Sequence, residues 1–395
     1  MSSVKSLFDN FNRNYIGPKH YAESIYDYLN RSAHVEANRI RKLLNFWFQK
    51  YPDKHKLELY NRFRSGDADF YSAFWELYIY NVLLCSGFEV EIHPRVPEKE
   101  TSPDFKVRKS GEDVFYLEAK VLLSNSISAE QKHKNFLFDK INEKVSHPNF
   151  FLGIKDIKSS PTSPPVRKIC KYLVRKLSNA NYEEILQLYK KEGLSGVPEW
   201  KFKDKESGWE TIFFPIPKDS RPEEHNRRIL GLVIESFWDT GLSNRIKEVI
   251  KEKVSKYGEL DLPYLVAVNI IDERGVDRLN IENALFGEFA ISLLKQGEKV
   301  VGKEFKRKPN GLWYGPEGPR NRRVSGVIIV INLYPWNLAK VTPILWHNPW
   351  AKRPFQSKLW KLPQYIPDEN NTLKEIKGQE PWELLGLPPN WPYNS

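Results

Sequence analysis

Two long apolar runs in the C-terminal half of the chain constrain its fold most. They are PYLVAVNII, residues 263–271, and VSGVIIVINL, residues 324–333. A strand with one face in water alternates apolar and polar residues, whereas these runs are apolar almost throughout. Strands of this kind are buried on both faces, as in a parallel or mixed sheet covered by helices. We therefore predict an α/β fold built around a mixed sheet.

The composition predicts a soluble, cytoplasmic protein that does not associate with membranes. Hydrophobic residues make up 40% of the 395 residues and aromatic residues 13%, which is enough for the cores of two or three domains and excludes a disordered chain. No apolar run approaches the ~20 residues of a membrane span, and the N-terminus does not resemble a signal peptide. Cys85 and Cys170 have no metal-like spacing.

The net charge of the chain favours an acidic partner. The formal charge is +11 at pH 7, and nucleic acid is the first candidate for a basic protein of this size. Many soluble proteins are basic without binding nucleic acid, so the prediction needs a site to support it.

Two neighbouring strands are predicted to carry charged residues inside the sheet. In FYLEAKVLL, residues 115–123, alternation places Glu118 and Lys120 on one face and apolar residues on the other. The run DFKVRK begins at Asp104, and the polar segment KSGED between the two runs predicts a five-residue hairpin loop. If the turn is centred on Gly111, Asp104 stands directly opposite Glu118.

Two opposed carboxylates need compensation. The Cβ atoms of directly opposed residues lie roughly 4.5–5.5 Å apart, so two negative charges there require a cation or a proton. A divalent ion with oxygen ligands, such as Mg²⁺, is one solution. The alternative is a solvated hairpin in which the acids pair with Lys106 and Lys120.

A third carboxylate is predicted to lie in the preceding helix. The segment DADFYSAFWELYIYNVLLCSGF repeats apolar residues at helical spacing, with Asp67 as the expected N-cap and Gly87 as the expected stop. Glu76 lies among apolar and aromatic neighbours, where a carboxylate is costly unless it is paired or coordinated. The alternative is an ordinary surface acid on a narrow polar stripe of the helix. A strand, GFEVEIHP, follows.

This order of elements resembles the PD-(D/E)XK nuclease superfamily, which is restriction-endonuclease-like, and the wider chain is similar to uncharacterised bacterial proteins of that type. The resemblance lies in a helix with Glu76, a Ser-Pro-Asp run that ends at Asp104 and a Glu-Ala-Lys run that ends at Lys120. A predicted helix over residues 126–145 and a predicted strand over residues 149–157 complete the α-β-β-β-α-β core of that superfamily.

The resemblance implies metal-dependent hydrolysis of phosphodiester bonds. It implies that Asp104 and Glu118 hold Mg²⁺, with Mn²⁺ as a substitute, and that the carbonyl of Ala119 is a further ligand. Glu76 would bind the metal directly, through a water or at a second metal. Lys120 would position the attacking water and favour the scissile phosphate.

Two segments are predicted to contact nucleic acid. In the superfamily the helix after the Glu-Ala-Lys run often lines the site, which implies Gln131 and Lys132. Residues 299–324 contain eight basic residues around an aromatic pair, and such a segment suits phosphate contacts and base stacking. The predicted contact residues there are Lys306, Arg307, Lys308, Trp313, Arg320, Arg322 and Arg323. The alternative is an ordinary surface loop anchored by its tryptophan.

The sequence predicts four regions. These are an N-terminal helical region (1–62), the nuclease-like core (63–160), an α/β region with the basic loop (161–350) and a Pro/Trp-rich tail (351–395).

The predicted function is a DNA endonuclease in defence or repair. Two alternatives remain open, a catalytically silent module that binds DNA or protein and an RNA-directed nuclease. The sequence does not determine the oligomeric state.

Overall fold

The structure is a computed structural model whose backbone contacts divide the chain into two units. It describes residues 4–96, 101–123, 129–160, 162–218, 228–233, 242–272, 277–296, 299–367 and 373–393. The first unit comprises residues 1–15, 25–124 and 239–395, and the second comprises residues 16–24 and 125–238.

The described chain begins with four helices and then combines helices with strands. In chain order they are α1 (Ile25–Arg31), α2 (Val35–Lys50), α3 (Asp53–Arg64), α4 (Asp67–Cys85), β1 (Glu89–Ile92), β2 (Phe105–Lys109), β3 (Glu112–Leu123), α5 (Ala129–Lys144), β4 (Phe150–Lys158), α6 (Val166–Ser178), α7 (Tyr182–Glu192), β5 (Trp200–Lys203), β6 (Glu210–Pro217), β7 (Leu230–Val233), α8 (Leu242–Lys256), β8 (Tyr264–Ile271), α9 (Arg278–Phe286), β9 (Phe289–Gln296), β10 (Lys299–Arg307), β11 (Tyr314–Gly315), β12 (Gly318–Pro319), β13 (Gly326–Ile331), β14 (Ile344–His347), β15 (Gln364–Pro367), β16 (Leu373–Ile376) and α10 (Pro381–Leu385).

The first unit is built on an eight-stranded mixed sheet in the order β1-β2-β3-β8-β13-β14-β15-β16. The strands β1, β2 and β3 are antiparallel neighbours, whereas β3, β8 and β13 run parallel. Every residue of β8 is buried, as expected for a central strand covered on both faces. The predicted α/β class and the predicted mixed sheet are confirmed.

The two faces of β3 contact different helices, as its alternation predicts. Phe115 and Leu117 pack in one hydrophobic cluster with apolar residues of α4. Tyr116 and Leu122 pack in another with apolar residues of α8. The indole Nε1 of Trp75 in α4 also donates a hydrogen bond of 3.0 Å to the carbonyl of Ala267 in β8. The helices α4 and α8 therefore cover opposite faces of the sheet.

The β2–β3 hairpin has a tighter turn than its sequence predicts. Lys109 pairs with Glu112, so the loop contains only Ser110 and Gly111, whose φ angles of 53° and 81° suit a two-residue turn of the type that hairpins favour. The predicted five-residue loop is wrong. A bulge between Val107 and Arg108 then shifts the register by one residue, and beyond it the pairing is the one that the sequence predicts.

The helix α4 begins and ends close to the predicted residues. Gly66 is its N-cap, with a φ of 140°, and Asp67 is its first residue. The carboxylate of Asp67 instead accepts a hydrogen bond of 2.7 Å from the backbone N–H of Ile25. The chain leaves the helix at Ser86 and Gly87, and the positive φ of 81° at Gly87 explains why glycine stops the helix there.

The helix and strand expected to complete the core lie in the second unit. That unit contains a four-stranded sheet in the order β5-β6-β4-β7, together with α5, α6 and α7. The strand expected to complete the core, β4, therefore does not join the sheet of β3, because it pairs with β6 and β7. The neighbour of β3 is β8, and the continuous apolar character of β8 fits this buried central position better than the partly exposed pattern of β4.

Candidate active site

Asp104 directly precedes β2 and contacts the turn after β1 and the strand β3. Its carbonyl accepts a hydrogen bond of 2.9 Å from the backbone N–H of His93, and its Oδ2 accepts one of 2.7 Å from the backbone N–H of Ala119. Phe105 pairs with Leu117 in the next rung. Continuing this register places Asp104 opposite Glu118, as the sequence predicts.

The backbone of Ala119 offers a further oxygen beside Asp104. Within a strand the N–H and the C=O of one residue point to the same side. The N–H of Ala119 reaches Asp104, so its carbonyl faces that side as well, beyond the last β2 pair at Leu117. This is the position that the resemblance assigns to a metal ligand.

The environment of Asp104 disfavours its negative charge. Burial, followed by the nearby carboxylates of Glu118 and Glu76, raises the pKa of Asp104 to about 8, and the Ala119 N–H and Lys253 oppose this rise only in part. The carboxylates of Glu118 and Glu76 are therefore close enough for their charges to act on Asp104. A carboxyl in this state takes up either a proton or a cation near neutral pH.

Glu118 is buried and points toward α8. Its Oε2 accepts a hydrogen bond of 2.5 Å from Tyr257, and its Oε1 lies 2.8 Å from the ammonium of Lys253 and 3.4 Å from that of Lys256. Burial alone would lower the pKa of Lys253, but Glu118, together with the charges of Asp104 and Glu252, raises it above its usual value. Sequence reasoning missed these three residues, because the basic pattern of α8 does not indicate which strand the helix covers.

Glu76 is also buried rather than facing water. Its two carboxylate oxygens accept hydrogen bonds of 2.5 Å from Tyr51 and from Arg62. Burial and the neighbouring Glu76 together raise the pKa of the Tyr51 hydroxyl above its usual value. Neither Tyr51 nor Arg62 is predicted from the sequence, although the cost of burying Glu76 required partners of this kind.

Lys120 is half-buried and has no hydrogen-bond or ion-pair partner among the residues that the structure describes. Alternation along β3 places it on the face of Glu118. The alternative in which the acids pair with Lys106 and Lys120 is wrong, because Lys106 pairs with Asp113 at 2.5 Å and Glu118 is paired from α8. Among the described residues, the ammonium of Lys120 is therefore not neutralised by an acid.

The oxygens beside Asp104 suit a hard divalent cation. Mg²⁺ binds carboxylate and carbonyl oxygens, and Asp104, Glu118 and the carbonyl of Ala119 provide them. Both oxygens of Glu118 already accept hydrogen bonds, but a carboxylate has about four lone-pair sites and so retains capacity for a metal. Glu76 and Glu118 are both already neutralised, Glu76 by Arg62 and Glu118 by Lys253 and Lys256, so Asp104 is the acid that most needs a cation.

Two of the predicted nucleic-acid contacts, Arg307 and Lys308, form ion pairs within the protein. Arg307 pairs with Glu282 at 2.9 Å and lies over the ring of Phe286, and Lys308 pairs with Glu288 at 2.9 Å. Lys132 is exposed on α5, in the second unit. The side chains of Gln131 and Lys306 lie outside the described residues.

The predicted base-stacking role of Trp313 is wrong for this conformation. The side chain is 0% exposed and packs in the hydrophobic cluster that includes α9. Its backbone N–H donates a hydrogen bond of 2.9 Å to the carbonyl of Leu285, which ties the segment to the end of α9. The neighbouring Tyr314 is 39% exposed. Trp313 is therefore the anchor that the alternative interpretation describes.

Replacing Trp313 with alanine should destabilise the protein without selectively weakening single-stranded binding. Emptying a buried tryptophan site typically costs about 3–5 kcal/mol. Urea denaturation measures the loss, and a matched Tyr314→Ala variant at the exposed neighbour should lose much less. A Trp313→Ala protein of normal stability that binds single strands poorly would contradict the burial.

The exposed arginines after Trp313 remain candidates for phosphate contacts. Arg320 and Arg322 are exposed, and each donates to a backbone carbonyl, of Gly311 and of Trp350 respectively, at 3.0 Å. Arg323 is exposed beside them. These hydrogen bonds orient two guanidinium groups on one surface segment.

Replacing Arg320, Arg322 and Arg323 together with alanine should weaken nucleic-acid binding uniformly across sequences. For every phosphate that is no longer neutralised, the slope of log affinity against log salt should flatten by about 0.9 on duplex DNA, or about 0.7 on single strands. Fluorescence anisotropy at several salt concentrations measures both changes. The control removes the same charge from exposed lysines of the second unit, Lys190, Lys201 and Lys205, and should leave the slope less changed. Equal slopes in the arginine variant and the native protein would exclude this surface.

Comparisons with protein-family models, with curated proteins and with solved structures found no match for this chain. None of the helices in the described ranges has both the length and the apolar character to cross a bilayer. Function must therefore be argued from the site.

Proposed function

We propose that this chain is a metal-dependent nuclease that hydrolyses phosphodiester bonds, with DNA as the favoured substrate. The observation that carries the proposal is the position of Asp104 beside Glu118, with its pKa raised to about 8 and its Oδ2 held by the N–H of Ala119. Glu118, Ala119 and Lys120 are consecutive on β3, and the register places Asp104 opposite Glu118, so two carboxylates, a backbone carbonyl and a lysine belong to one stretch of one strand pair. This combination suits metal-assisted attack of water on a phosphate.

The order of elements in the first unit supports the same proposal. Along the chain, α4, β1, β2, β3, α8 and β8 follow an α-β-β-β-α-β order. The strand β8 is parallel to β3, and α8 packs on the face opposite α4. In this proposal α8 and β8 take the places expected of α5 and β4, and residues 125–238 form an insertion between β3 and α8.

Each residue has a separate task in the proposed reaction. Asp104, Glu118 and the carbonyl of Ala119 would hold Mg²⁺ or Mn²⁺, which supplies a water of lowered pKa and neutralises phosphate charge. Lys120 donates to the attacking water and to the scissile phosphate. Lys253 and Tyr257 orient the carboxylate of Glu118, and Arg62 and Tyr51 hold Glu76 in place beside Asp104.

The charge of the chain favours nucleic acid as the substrate. The net charge is +11, and Arg320, Arg322 and Arg323 offer exposed guanidinium groups. A cytoplasmic role in defence or repair is consistent with such an activity. RNA remains the competing substrate, because phosphate contacts alone do not distinguish the two polymers.

A catalytically silent binding module is the second candidate, and the ion pairs of the buried acids favour it. Lys253 and Lys256 neutralise Glu118, and Arg62 neutralises Glu76. In such a module the lysine and arginine side chains would neutralise the buried acids, which is the task of the metal in an active nuclease.

A cleavage assay separates the two candidates. The purified full chain is incubated with supercoiled plasmid, linear duplex, single-stranded DNA and RNA, each with Mg²⁺, Mn²⁺ or EDTA. A nuclease should cleave DNA with either metal and not in EDTA. Binding of DNA without cleavage under any metal condition would instead support the silent module, and cleavage of RNA alone would replace the proposed substrate.

A further inference from the structure

Two histidines and a glutamate form a separate cluster near the start of the sheet. His55, Glu58 and His93 each offer one ligand atom, and the three atoms lie within 4.8 Å of one another. The two imidazole rings meet edge to face, with centroids 5.2 Å apart and planes at 73°. The two histidines are half-buried, and Glu58 is exposed.

The local structure brings these side chains together. His55 and Glu58 are three residues apart on α3, a spacing that puts both on one face of a helix. His93 directly follows β1 and has a φ of 47°, a left-handed conformation that is uncommon for residues other than glycine. The backbone N–H of His93 donates to the carbonyl of Asp104 at 2.9 Å, which fixes the turn against β2.

We propose that His55, Glu58 and His93 form a binding site for a divalent transition metal, with zinc first among them. Imidazole nitrogen is a preferred ligand for zinc, and two histidines with one glutamate form a known donor set for sites that keep a fourth position open. This ligand set differs from the all-oxygen set around Asp104, which suits Mg²⁺. The inference rests on its own side chains and does not require nuclease activity.

The geometry allows a tetrahedral ion. Ligand atoms at about 2.0–2.2 Å from zinc in tetrahedral directions lie about 3.3–3.6 Å from one another. The present separations of up to 4.8 Å therefore need to close by little more than an ångström. Glu58 is the exposed member, so its side chain has room to move toward the ion.

The bound ion would join α3 to the turn after β1. Both elements also contact the acids of the candidate active site, because Arg62 of α3 pairs with Glu76 and the N–H of His93 holds the carbonyl of Asp104. Since the three ligands converge only in the folded chain, the ion should stabilise the protein by RT ln(1 + [Zn²⁺]/Kd), which rises with the logarithm of the zinc concentration once the site is filled. Edge-to-face packing of two histidines is the competing explanation of the cluster, and it requires no metal.

Zinc titration of the full chain tests the site directly. The protein carries no polyhistidine tag, is stripped with EDTA and dialysed, and is titrated by calorimetry with Zn²⁺; Co²⁺ is added in parallel for its visible absorption. We expect one ion per chain, a Co²⁺ spectrum of tetrahedral type and a higher thermal midpoint with zinc.

His55→Ala, His93→Asn and Glu58→Gln should each weaken zinc binding, by at least about 100-fold for the two histidines, since changes outside the ligand shell already cost about 10–100-fold. Asparagine tolerates the left-handed backbone of His93.

Two controls separate this site from the proposed nuclease site. His34→Ala removes an imidazole from the first unit that makes no cap hydrogen bond to α2, and it should bind zinc normally. Asp104→Asn should bind zinc with unchanged affinity even where it abolishes cleavage. Zinc binding of equal affinity in the native protein and in the His55→Ala and His93→Asn variants, or no binding by the folded native protein, would overturn the proposal.

Discussion

Replacing Asp104 with asparagine should abolish metal-dependent cleavage and, in EDTA at pH 8, should make the protein more stable. The loss of activity follows from the loss of a charged metal ligand. The gain in stability follows because burial and the charges of Glu118 and Glu76 disfavour the ionised carboxylate of Asp104 in the folded protein. An amide of the same shape still accepts the hydrogen bond from the N–H of Ala119 and carries no charge.

The raised pKa of Asp104 determines the pH range of this effect. The folded protein binds a proton at this carboxyl up to about pH 8, whereas the unfolded chain releases it near the usual value of 3.8. The folded state therefore holds more protons between these limits, and the free energy of unfolding falls as pH rises through them. At pH 8 the cost in the native protein is on the order of 3 kcal/mol, allowing for solvent screening at this half-buried site. Asp104→Asn removes that cost.

Urea denaturation of both proteins at pH 5 and pH 8, in EDTA, measures the difference. Asp113→Asn is the matched control, because hydrogen bonds from Lys106 and Arg108 lower the pKa of Asp113. That variant should lose a little stability and keep its activity. Adding Mg²⁺ at pH 8 should stabilise the native protein and leave Asp104→Asn unchanged. An Asp104→Asn protein that still cleaves, or that is less stable than the native protein at pH 8, would contradict the assignment.

Local patterns predict the elements that surround the site better than their pairing. Alternation in FYLEAKVLL correctly separates the two faces of β3, and the continuous apolar character of β8 and β13 correctly predicts a mixed, doubly covered sheet. Which strand lies next to β3 is not a local property. The parallel partner of Glu118 is Val266 in β8, and the second unit intervenes between them in the chain. Proximity along the chain therefore points to the wrong strand, β4.

The hairpin shows how a correct register can follow from an incorrect turn. A turn centred on Gly111 places Asp104 opposite Glu118. The real turn contains Ser110 and Gly111, so the strand pairing next to it is shifted by one residue from the predicted pairing. The bulge at Val107 and Arg108 compensates for that offset. No pattern in the sequence indicates the bulge, although the face alternation of β3 requires the final register.

The sequence predicts that the buried acids need hydrogen-bond donors, but it does not predict which residues provide them. Burial of Glu76 and Glu118 required hydrogen-bond donors, and the structure supplies a tyrosine to each, together with one basic residue for Glu76 and two for Glu118. Most of these donors come from α3 and α8, whose own sequences are typical of amphipathic helices with solvated basic faces. A charged side chain on such a face gives no sign of which acid it will contact.

Lys120→Ala should reduce cleavage by about 10²–10³-fold while leaving the fold and the affinity for DNA nearly unchanged. The size follows from the removal of one preorganised group that stabilises charge in the transition state. Because Lys120 has no hydrogen-bond or ion-pair partner in the described part of the chain, its substitution breaks no such interaction there. Single-turnover cleavage with saturating enzyme measures the chemical step, and anisotropy in Ca²⁺ measures binding.

The matched control for Lys120 is Lys106→Ala, on the neighbouring strand. Lys106 is also half-buried but pairs with Asp113, so its replacement removes an equal charge without touching the proposed reaction. It should cleave at close to the native rate and lose a little stability. Both variants remove one positive charge, so a difference in cleavage rate between them shows that the position of Lys120 matters and not only its charge. If a folded Lys120→Ala protein cleaves as fast as Lys106→Ala, the lysine has no role in the chemistry, and phosphodiester hydrolysis at Asp104 and Glu118 is no longer the best explanation of the site.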